Sequence, residues 1–204
     1  VYNIETYEVF TRDENGRPVL EKARLKRLID LALRSGMAYL QGGAFAGRNT
    51  HTSDNDAFFN SLDHENIESP DEIAEAFKFA AFDEFDNTAE AKMHVTGTIL
   101  STAEGESDLR SMASQLYAFL KENNLCEIWT QCCLDEPNPA LEAVYRKINS
   151  VVREEMPGIE LLEPTLVGHP LEGTMDIWCP TVEEYENNID FYTSRIKLGE
   201  KVWV

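Results

Sequence analysis

The chain has 204 residues, of which 43% are hydrophobic, which is enough to bury one sizeable core. The formal net charge of −19 argues against a nucleic-acid partner, because such a surface repels phosphate backbones, whereas a neutral sugar would not be repelled. No apolar run has the length of a membrane span, and an aromatic content of 10% distinguishes the chain from a disordered acidic tail.

The four cysteines predict no metal site and no disulfide framework. Cys132 and Cys133 are adjacent on a predicted strand, so their side chains point to opposite faces and cannot readily bind one metal. With Cys126 and Cys179 they show no zinc-type spacing. We therefore expect buried reduced thiols, no metal and no cofactor. Reduced thiols slightly favour the cytoplasm over secretion. The first residues lack signal-peptide character, which says little about the compartment. The oligomeric state stays open.

The N-terminal half begins with a helix and a strand. Apolar residues at helical spacing predict a helix over residues 25–32, which Gly36 ends. Residues 37–41 are typical of a short strand. A capping box at residues 69–72 predicts the start of a second helix, and residues 93–100 are predicted to form a strand.

The C-terminal half continues the alternation of strands and helices. The predicted helices cover residues 109–120, 141–152 and 182–196, and the predicted strands cover residues 126–134, 159–162, 175–179 and 201–204.

This alternation predicts an α/β protein with a parallel sheet covered by helices. Neither GxGxxG nor GxxxxGK[ST] occurs, so the commonest reason for an open nucleotide-binding sheet is missing. We therefore expect a (β/α)8 TIM-barrel-like fold rather than a doubly wound sheet. About six strand–helix units are predicted. The chain is accordingly expected to be one catalytic domain over residues 1–204, an incomplete barrel truncated at both ends.

The strongest candidate for chemistry is the acidic pair Asp135–Glu136. It follows the apolar strand 126–134 directly, and Pro137 then turns the chain. Active sites of both parallel architectures gather at such strand ends. Neighbouring acids are too close to flank one glycosidic bond as nucleophile and acid. They suit a mechanism in which the substrate's acetamido group is the nucleophile, one acid orients it, and the other is the acid/base. The alternative is that both acids only cap the following helix.

Three segments carry a family resemblance. The run 129–137 (WTQCCLDEP) resembles the strand-plus-DEP motif of glycoside hydrolase family 123. Residues 175–180 (MDIWCP) look like the later D-[IV]-W-x-P strand of that family, and residues 201–204 look like its next strand. All three occur in the family's order and spacing, from about residue 109 to the end. Upstream, residues 39–43 together with Arg48 are only similar to an early strand-end loop of such proteins.

The resemblance implies an exo-acting β-N-acetylgalactosaminidase that retains configuration by substrate assistance. The residue matching Asp135 would hold the acetamido group, and the residue matching Glu136 would be the acid/base. The tyrosine that follows the last strand in the family is not in this sequence, nor are the first and closing strands of a full barrel expected in it. The alternatives are a carbohydrate-binding or inactive barrel, or a glycosidase for a different sugar.

Five further residues are candidate substrate contacts. Trp178 is either an aromatic platform under a sugar ring or a core residue. Asp176 either binds a hydroxyl or pairs with a basic side chain. Gln131 is either an interior hydrogen-bonding residue or a ligand contact. Glu163 and Arg48 could reach a sugar, although a surface role is the more ordinary interpretation of each. The four histidines have no metal-binding spacing and are expected to be non-catalytic.

Overall fold

The centre of the protein is a six-stranded parallel sheet flanked by helices, so the α/β class predicted from the sequence is confirmed. The computed structural model describes residues 2–48, 90–134, 137, 141–165 and 168–204. The six strands, in sheet order, are β1 (Tyr2–Ile4), β2 (Leu40–Gly42), β3 (Trp129–Gln131), β4 (Glu160–Thr165), β5 (Ile177–Pro180) and β6 (Lys201–Val202).

Each strand of this sheet pairs in parallel with the strand that precedes it along the chain. A doubly wound sheet reverses its strand order near the middle, and this sheet does not. Because parallel crossovers are right-handed, a sequential order places the connecting helices on one side, as in a (β/α)-barrel. β1 and β6 do not pair with each other in the described chain, so the sheet has the strand order of a barrel without closure.

Two short antiparallel pairs lie outside the central sheet. Residues Phe10–Arg12 pair with Pro18–Leu20, and residues Ala46–Arg48 pair with Ala91–Met93. The helices are α1 (Thr6–Val9), α2 (Lys22–Arg34), α3 (Ala103–Glu122), α4 (Glu142–Glu155), α5 (Val182–Asn187) and α6 (Ile189–Lys197).

The two longest helices in the C-terminal half, α3 and α4, pack against each other. Both bury an apolar stripe, and Leu109 and Ile148 on these stripes are fully enclosed. Arg110 at the rim of this contact binds Glu106 on its own helix and Glu154 and Glu155 on α4. The apolar periodicity that predicts both helices therefore marks the faces that form the core.

Several predicted elements differ from the structure. Residues 93–100 are not a strand of the sheet, because the chain turns after Met93 and Gly97 has a φ of +74°. The strand predicted over 126–134 begins as a 3-10 turn and is a strand only from Trp129. The single helix expected over 182–196 is interrupted at Asn188.

One strand of the central sheet was missing from the prediction, as were the short strands Phe10–Arg12, Pro18–Leu20 and Ala46–Arg48 outside it. β1 was not expected, yet it pairs with β2 along all three of its residues. The helix start predicted at residues 69–72 lies outside the described residues. In the described part of the chain, no helix is both long enough and apolar enough to cross a membrane.

Gly42 leaves room on β2 for two buried side chains of β3, Gln131 and Trp129. A Cβ at this position would lie 2.2 Å from Gln131 Oε1 and 2.7 Å from a ring carbon of Trp129. Both side chains are buried, so neither can move away into solvent.

Gly42→Ala should therefore lower the free energy of unfolding by about 1–3 kcal/mol, as overpacking of a core does. Urea unfolding of the wild type, Gly42→Ala, Gln131→Ala and the double variant measures this. If the contact with Gln131 causes the loss, Gly42→Ala should cost less in the Gln131→Ala background. Equal costs in the two backgrounds would contradict this explanation.

Candidate functional site

A cleft of about 300 Å³ opens at the carboxyl ends of the first four parallel strands. This edge is where active sites of parallel α/β folds gather, because the loops leaving all the strands meet there. The volume is at the lower end of the range for small-molecule sites. The lining residues are Asn3, Glu5, Tyr7, Gln41, Gly43, Ala44, His94, Cys132 and Pro164.

The lining of this cleft combines polar and apolar groups, and the described residues that line it include no Lys or Arg. Asn3 and Gln41 are register partners on β1 and β2, so both side chains point to the same face of the sheet. The Asn3 amide donates a 2.5 Å hydrogen bond to Glu5 Oε1, which orients the one carboxylate among the described lining residues. Amides, a hydroxyl and one carboxylate suit a neutral ligand rich in hydroxyl groups better than an anion.

Directly behind the cleft lies the carboxyl group of Glu163, on β4. Its Oε1 accepts a 3.0 Å hydrogen bond from the Cys132 thiol, which lines the cleft. Its Oε2 accepts hydrogen bonds from the backbone N–H groups of Cys133 at 3.1 Å and Leu134 at 3.3 Å. Glu163 is 0% exposed, so the surface role considered for it in the sequence is wrong. Its carboxyl group instead links β4 to the segment that leaves β3.

Burial dominates the titration of Glu163. It raises the pKa of this carboxyl from 4.5 to about 8, although the hydrogen bonds from Cys132, Cys133 and Leu134 favour the charged form. Burial and the nearby Glu163 also raise the pKa of the Cys133 thiol and the Tyr145 hydroxyl, and that of Cys179 to about 11. Glu163 has no ion pair among the described residues, so desolvation is offset by hydrogen bonds alone.

The predicted catalytic pair Asp135–Glu136 lies outside the described residues, so its expected role stays a prediction. The residues on either side of the pair, Leu134 and Pro137, are both buried. Leu134 forms an isolated parallel bridge with Ala46 in addition to its hydrogen bond to Glu163. The backbone that leads into the acidic pair is therefore held from two sides.

Gln131 is fully buried at the end of β3 and makes interior hydrogen bonds. Its Nε2 donates to the carbonyl oxygens of Gly43 at 2.8 Å and Cys132 at 2.7 Å, and its Oε1 accepts from Trp129 Nε1 at 3.1 Å. Of the two alternatives considered from the sequence, the structure shows the interior one. Gln131 fixes the strand ends that form the cleft floor without entering the cleft.

The structure does not bring Asp176 and Trp178 to the cleft. Asp176 directly precedes β5, so it lies at the amino-terminal ends of the strands, away from the cleft. Its Oδ2 accepts a hydrogen bond from Leu161 N and forms an ion pair with Arg153 at 3.1 Å. Trp178 is 0% exposed, and its ring packs edge-on against Phe191 on α6. Asp176 is therefore an ion-pair partner and Trp178 a core residue, which were the alternatives to sugar contacts.

Arg48 ends one of the short antiparallel pairs, opposite Ala91. Its side chain lies outside the described part of the structure, so its expected substrate contact stays a prediction.

Several cleft residues were not predicted from the sequence. Asn3 and Gln41 are the middle residues of the short strands β1 and β2, and Glu5 directly follows β1, so no pattern in the sequence marks them. His94, expected to be non-catalytic, also lines the cleft. Recognising these residues requires the knowledge that β1 exists and pairs with β2.

The structure shows no cluster of three or more metal-binding side chains among the described residues. All four cysteines are free, and Cys132 and Cys133 are buried, whereas Cys126 and Cys179 are partly exposed.

Comparisons with known proteins do not identify a family. No family model matches the chain, and no curated protein sequence matches it. One similar solved structure is an endo-1,4-beta-mannanase from Eisenia fetida, which is 10% identical with a TM-score of 0.39. The similarity covers 88% of this chain and 56% of the mannanase chain, so this chain spans little more than half of that structure's length. The resemblance to glycoside hydrolase family 123 therefore depends on the three sequence motifs alone.

The raised pKa of Glu163 predicts a pH-dependent stability. Between pH 4.5 and about 8 the unfolded chain loses this proton while the folded chain keeps it, so the free energy of unfolding falls as the pH rises. Relative to Glu163→Gln, the free energy of unfolding of the wild type should fall by about 2–5 kcal/mol across this pH window and change little above it.

Urea unfolding at pH 5, 6.5, 8 and 9 measures the difference between the two proteins. Glu160→Gln is the matched control, because Glu160 lies on the same strand but is half exposed and paired with Lys201. A wild-type to Glu163→Gln difference that stays constant with pH would show that Glu163 titrates normally.

Proposed function

We propose that the protein is a glycoside hydrolase that removes terminal 2-acetamido sugars, with Asp135 and Glu136 as its catalytic residues. The observation that carries this proposal is the polar cleft at the carboxyl ends of β1 to β4, beside the strand that leads into these two acids. The resemblance of residues 129–137 to the DEP motif of glycoside hydrolase family 123 supports the choice of residues.

In the proposed reaction the substrate supplies its own nucleophile. The acetamido carbonyl oxygen attacks the anomeric carbon while Glu136 donates its proton to the departing glycosidic oxygen. Asp135 accepts a hydrogen bond from the acetamido N–H and stabilises the positive charge that develops on the cyclic intermediate. Glu136 then takes a proton from a water molecule as that water attacks the anomeric carbon and breaks the bond between this carbon and the acetamido oxygen. The product therefore retains the configuration of the substrate. Neighbouring carboxyl groups shift each other's pKa in opposite directions, which favours one protonated and one ionised acid.

The cleft lining supports a neutral sugar as the substrate. Asn3, Gln41 and Tyr7 offer donors and acceptors for hydroxyl groups, and the described lining residues include no Lys or Arg that would pair with a phosphorylated or acidic sugar. The net charge of −19 likewise disfavours anionic substrates. We accordingly place the sugar ring in this cleft, with its anomeric carbon toward the end of β3.

Turnover of aryl β-N-acetylgalactosaminide and β-N-acetylglucosaminide by the wild type, Asp135→Asn and Glu136→Gln tests this function. We expect kcat/KM to fall about 100-fold or more in both variants. For Glu136→Gln the loss should be greater with phenyl than with 4-nitrophenyl glycosides, because the poorer leaving group depends more on the acid. Glu160→Gln is the control and should retain wild-type turnover.

Turnover confined to aryl glycosides without the acetamido group would replace substrate assistance by a different glycosidase mechanism. Sugar binding without any turnover would favour a carbohydrate-binding barrel. Wild-type rates in both acid variants would remove Asp135 and Glu136 from the mechanism.

A second prediction concerns the cleft itself. Gln41→Leu removes one donor and one acceptor from the lining while it keeps a similar volume. If Gln41 binds a sugar hydroxyl, KM should rise about tenfold, which corresponds to the loss of one hydrogen bond of ordinary strength. Steady-state kinetics of Gln41→Leu on the preferred aryl glycoside measures this, with circular dichroism as the check on folding. An unchanged KM would place the substrate outside the cleft.

A further inference from the structure

We propose that Glu163 is a positioning residue, whose buried carboxyl group fixes residues 132–134 after β3, the backbone that leads into the proposed catalytic pair Asp135–Glu136. Its meaning for catalysis rests on the proposed function, whereas its effect on the backbone can be tested without any activity. Glu163 does not line the cleft and is assigned no contact with substrate.

The burial of the Glu163 carboxyl group costs free energy. A carboxyl group that is completely buried without an ion pair among the described residues is expensive, and an apolar side chain would avoid this cost. Tyr145 on α4, the nearest aromatic hydroxyl, affects the pKa of Glu163 but makes no well-formed hydrogen bond among the described residues. Core packing alone therefore does not explain a glutamate at this position.

The Glu163 carboxyl group contacts the segment that leaves β3. Among the described residues, its hydrogen bonds come from the consecutive residues Cys132, Cys133 and Leu134, immediately after the last residue of β3. At this point the ladder between β3 and β4 has ended, because the last paired residues are Gln131 and Leu161. Buried backbone N–H groups beyond a ladder need acceptors, and Glu163 Oε2 accepts from those of both Cys133 and Leu134.

This contact lies next to the cleft. The Cys132 thiol, held by Glu163 Oε1, is part of the cleft floor, and Pro164, the next residue after Glu163, lines the cleft too. Glu163 thus joins two neighbouring strand ends directly beneath the cleft. A displacement of about 1 Å at a strand end is sufficient to reduce catalysis about 100-fold.

Two substitutions distinguish the effect of the Glu163 hydrogen bonds from the effect of its side-chain volume. Glu163→Leu keeps the volume but leaves the two N–H groups without an acceptor. Glu163→Gln keeps an oxygen that can accept from both, and its amide N–H can donate to the sulfur of Cys132. Hydrogen–deuterium exchange of peptides that cover residues 129–134, with peptides from β5 as the internal control, reports the local effect.

We expect exchange in 129–134 to rise at least tenfold in Glu163→Leu and to stay within about threefold of wild type in Glu163→Gln, while β5 is unchanged in both. In turnover assays, kcat should fall about 10- to 100-fold in Glu163→Leu with KM within about threefold, and Glu163→Gln should restore kcat. Glu163→Asp, which retracts the carboxyl group by one methylene, serves if Glu163→Leu does not fold, and should show the same local rise in exchange.

Wild-type exchange at 129–134 in folded Glu163→Leu or Glu163→Asp would overturn the positioning role. Raised exchange with unchanged kcat would show that the end of β3 is held by Glu163 but is not tied to catalysis, which also overturns the proposal. If the wild type hydrolyses no glycoside, the proposed function fails, and the exchange experiment still decides whether Glu163 fixes the strand end.

Discussion

The sequential pairing of the parallel strands is the constraint on which the candidate site depends. Because each strand lies beside its predecessor, the carboxyl ends of β1 to β4 meet at one edge in the order in which they occur along the chain. Residues as distant in sequence as Asn3 and Pro164 therefore line one cleft. A doubly wound order would have separated these strand ends around a switch point and would have built a different site.

Close approach of the strands at this edge is possible because polar side chains are buried behind it. Gln131 occupies the space that a side chain on residue 42 would need, and it binds the carbonyl oxygens of Gly43 and Cys132. Glu163 performs the corresponding task for the N–H groups of Cys133 and Leu134. Both side chains satisfy backbone groups that lie beyond the regular ladder. The edge of the sheet is thus irregular in its backbone and rigid in its hydrogen bonding, as a site on a scaffold requires.

The sequence predicts the helices of this fold better than its strands. Helices α2, α3 and α4 each bury one stripe of apolar residues at a spacing that is visible in the sequence, as Leu109 and Ile148 illustrate. Strands of two or three residues offer too few positions for an alternating pattern, so β1 was missed. Residues 93–100 are apolar enough for a strand, but Gly97 reverses the chain. The expected number of six strands was right, while the membership differed by one.

For the site, the sequence indicates the strand end and not the surroundings. The apolar run before Asp135 indicates that β3 is central, but β3 ends at Gln131, well before the stop that Pro137 predicts. The burial of Glu163 could not be foreseen, because an acid before a proline is ordinarily solvated, whereas in the fold Glu163 pairs with Trp178 on β5 and binds the segment that leaves β3. For Trp178 and Asp176 the sequence suggests a substrate contact that the structure does not show. The D-x-W pattern looks like a binding motif, but β5 begins at Ile177, which leaves Asp176 at the opposite edge and buries Trp178 under α6.

A buried acid beside a strand end has two opposing effects on the protein. Desolvation of Glu163 lowers stability at neutral and alkaline pH, whereas its hydrogen bonds restrict the backbone that leads into Asp135. A hydrophobic residue would reverse both effects, with a more stable interior and a looser strand end. Functional sites commonly retain such locally unfavourable groups where geometry matters more than stability. On this argument Glu163 marks the end of β3 as the part of the sheet whose position matters most, independently of any motif in the sequence.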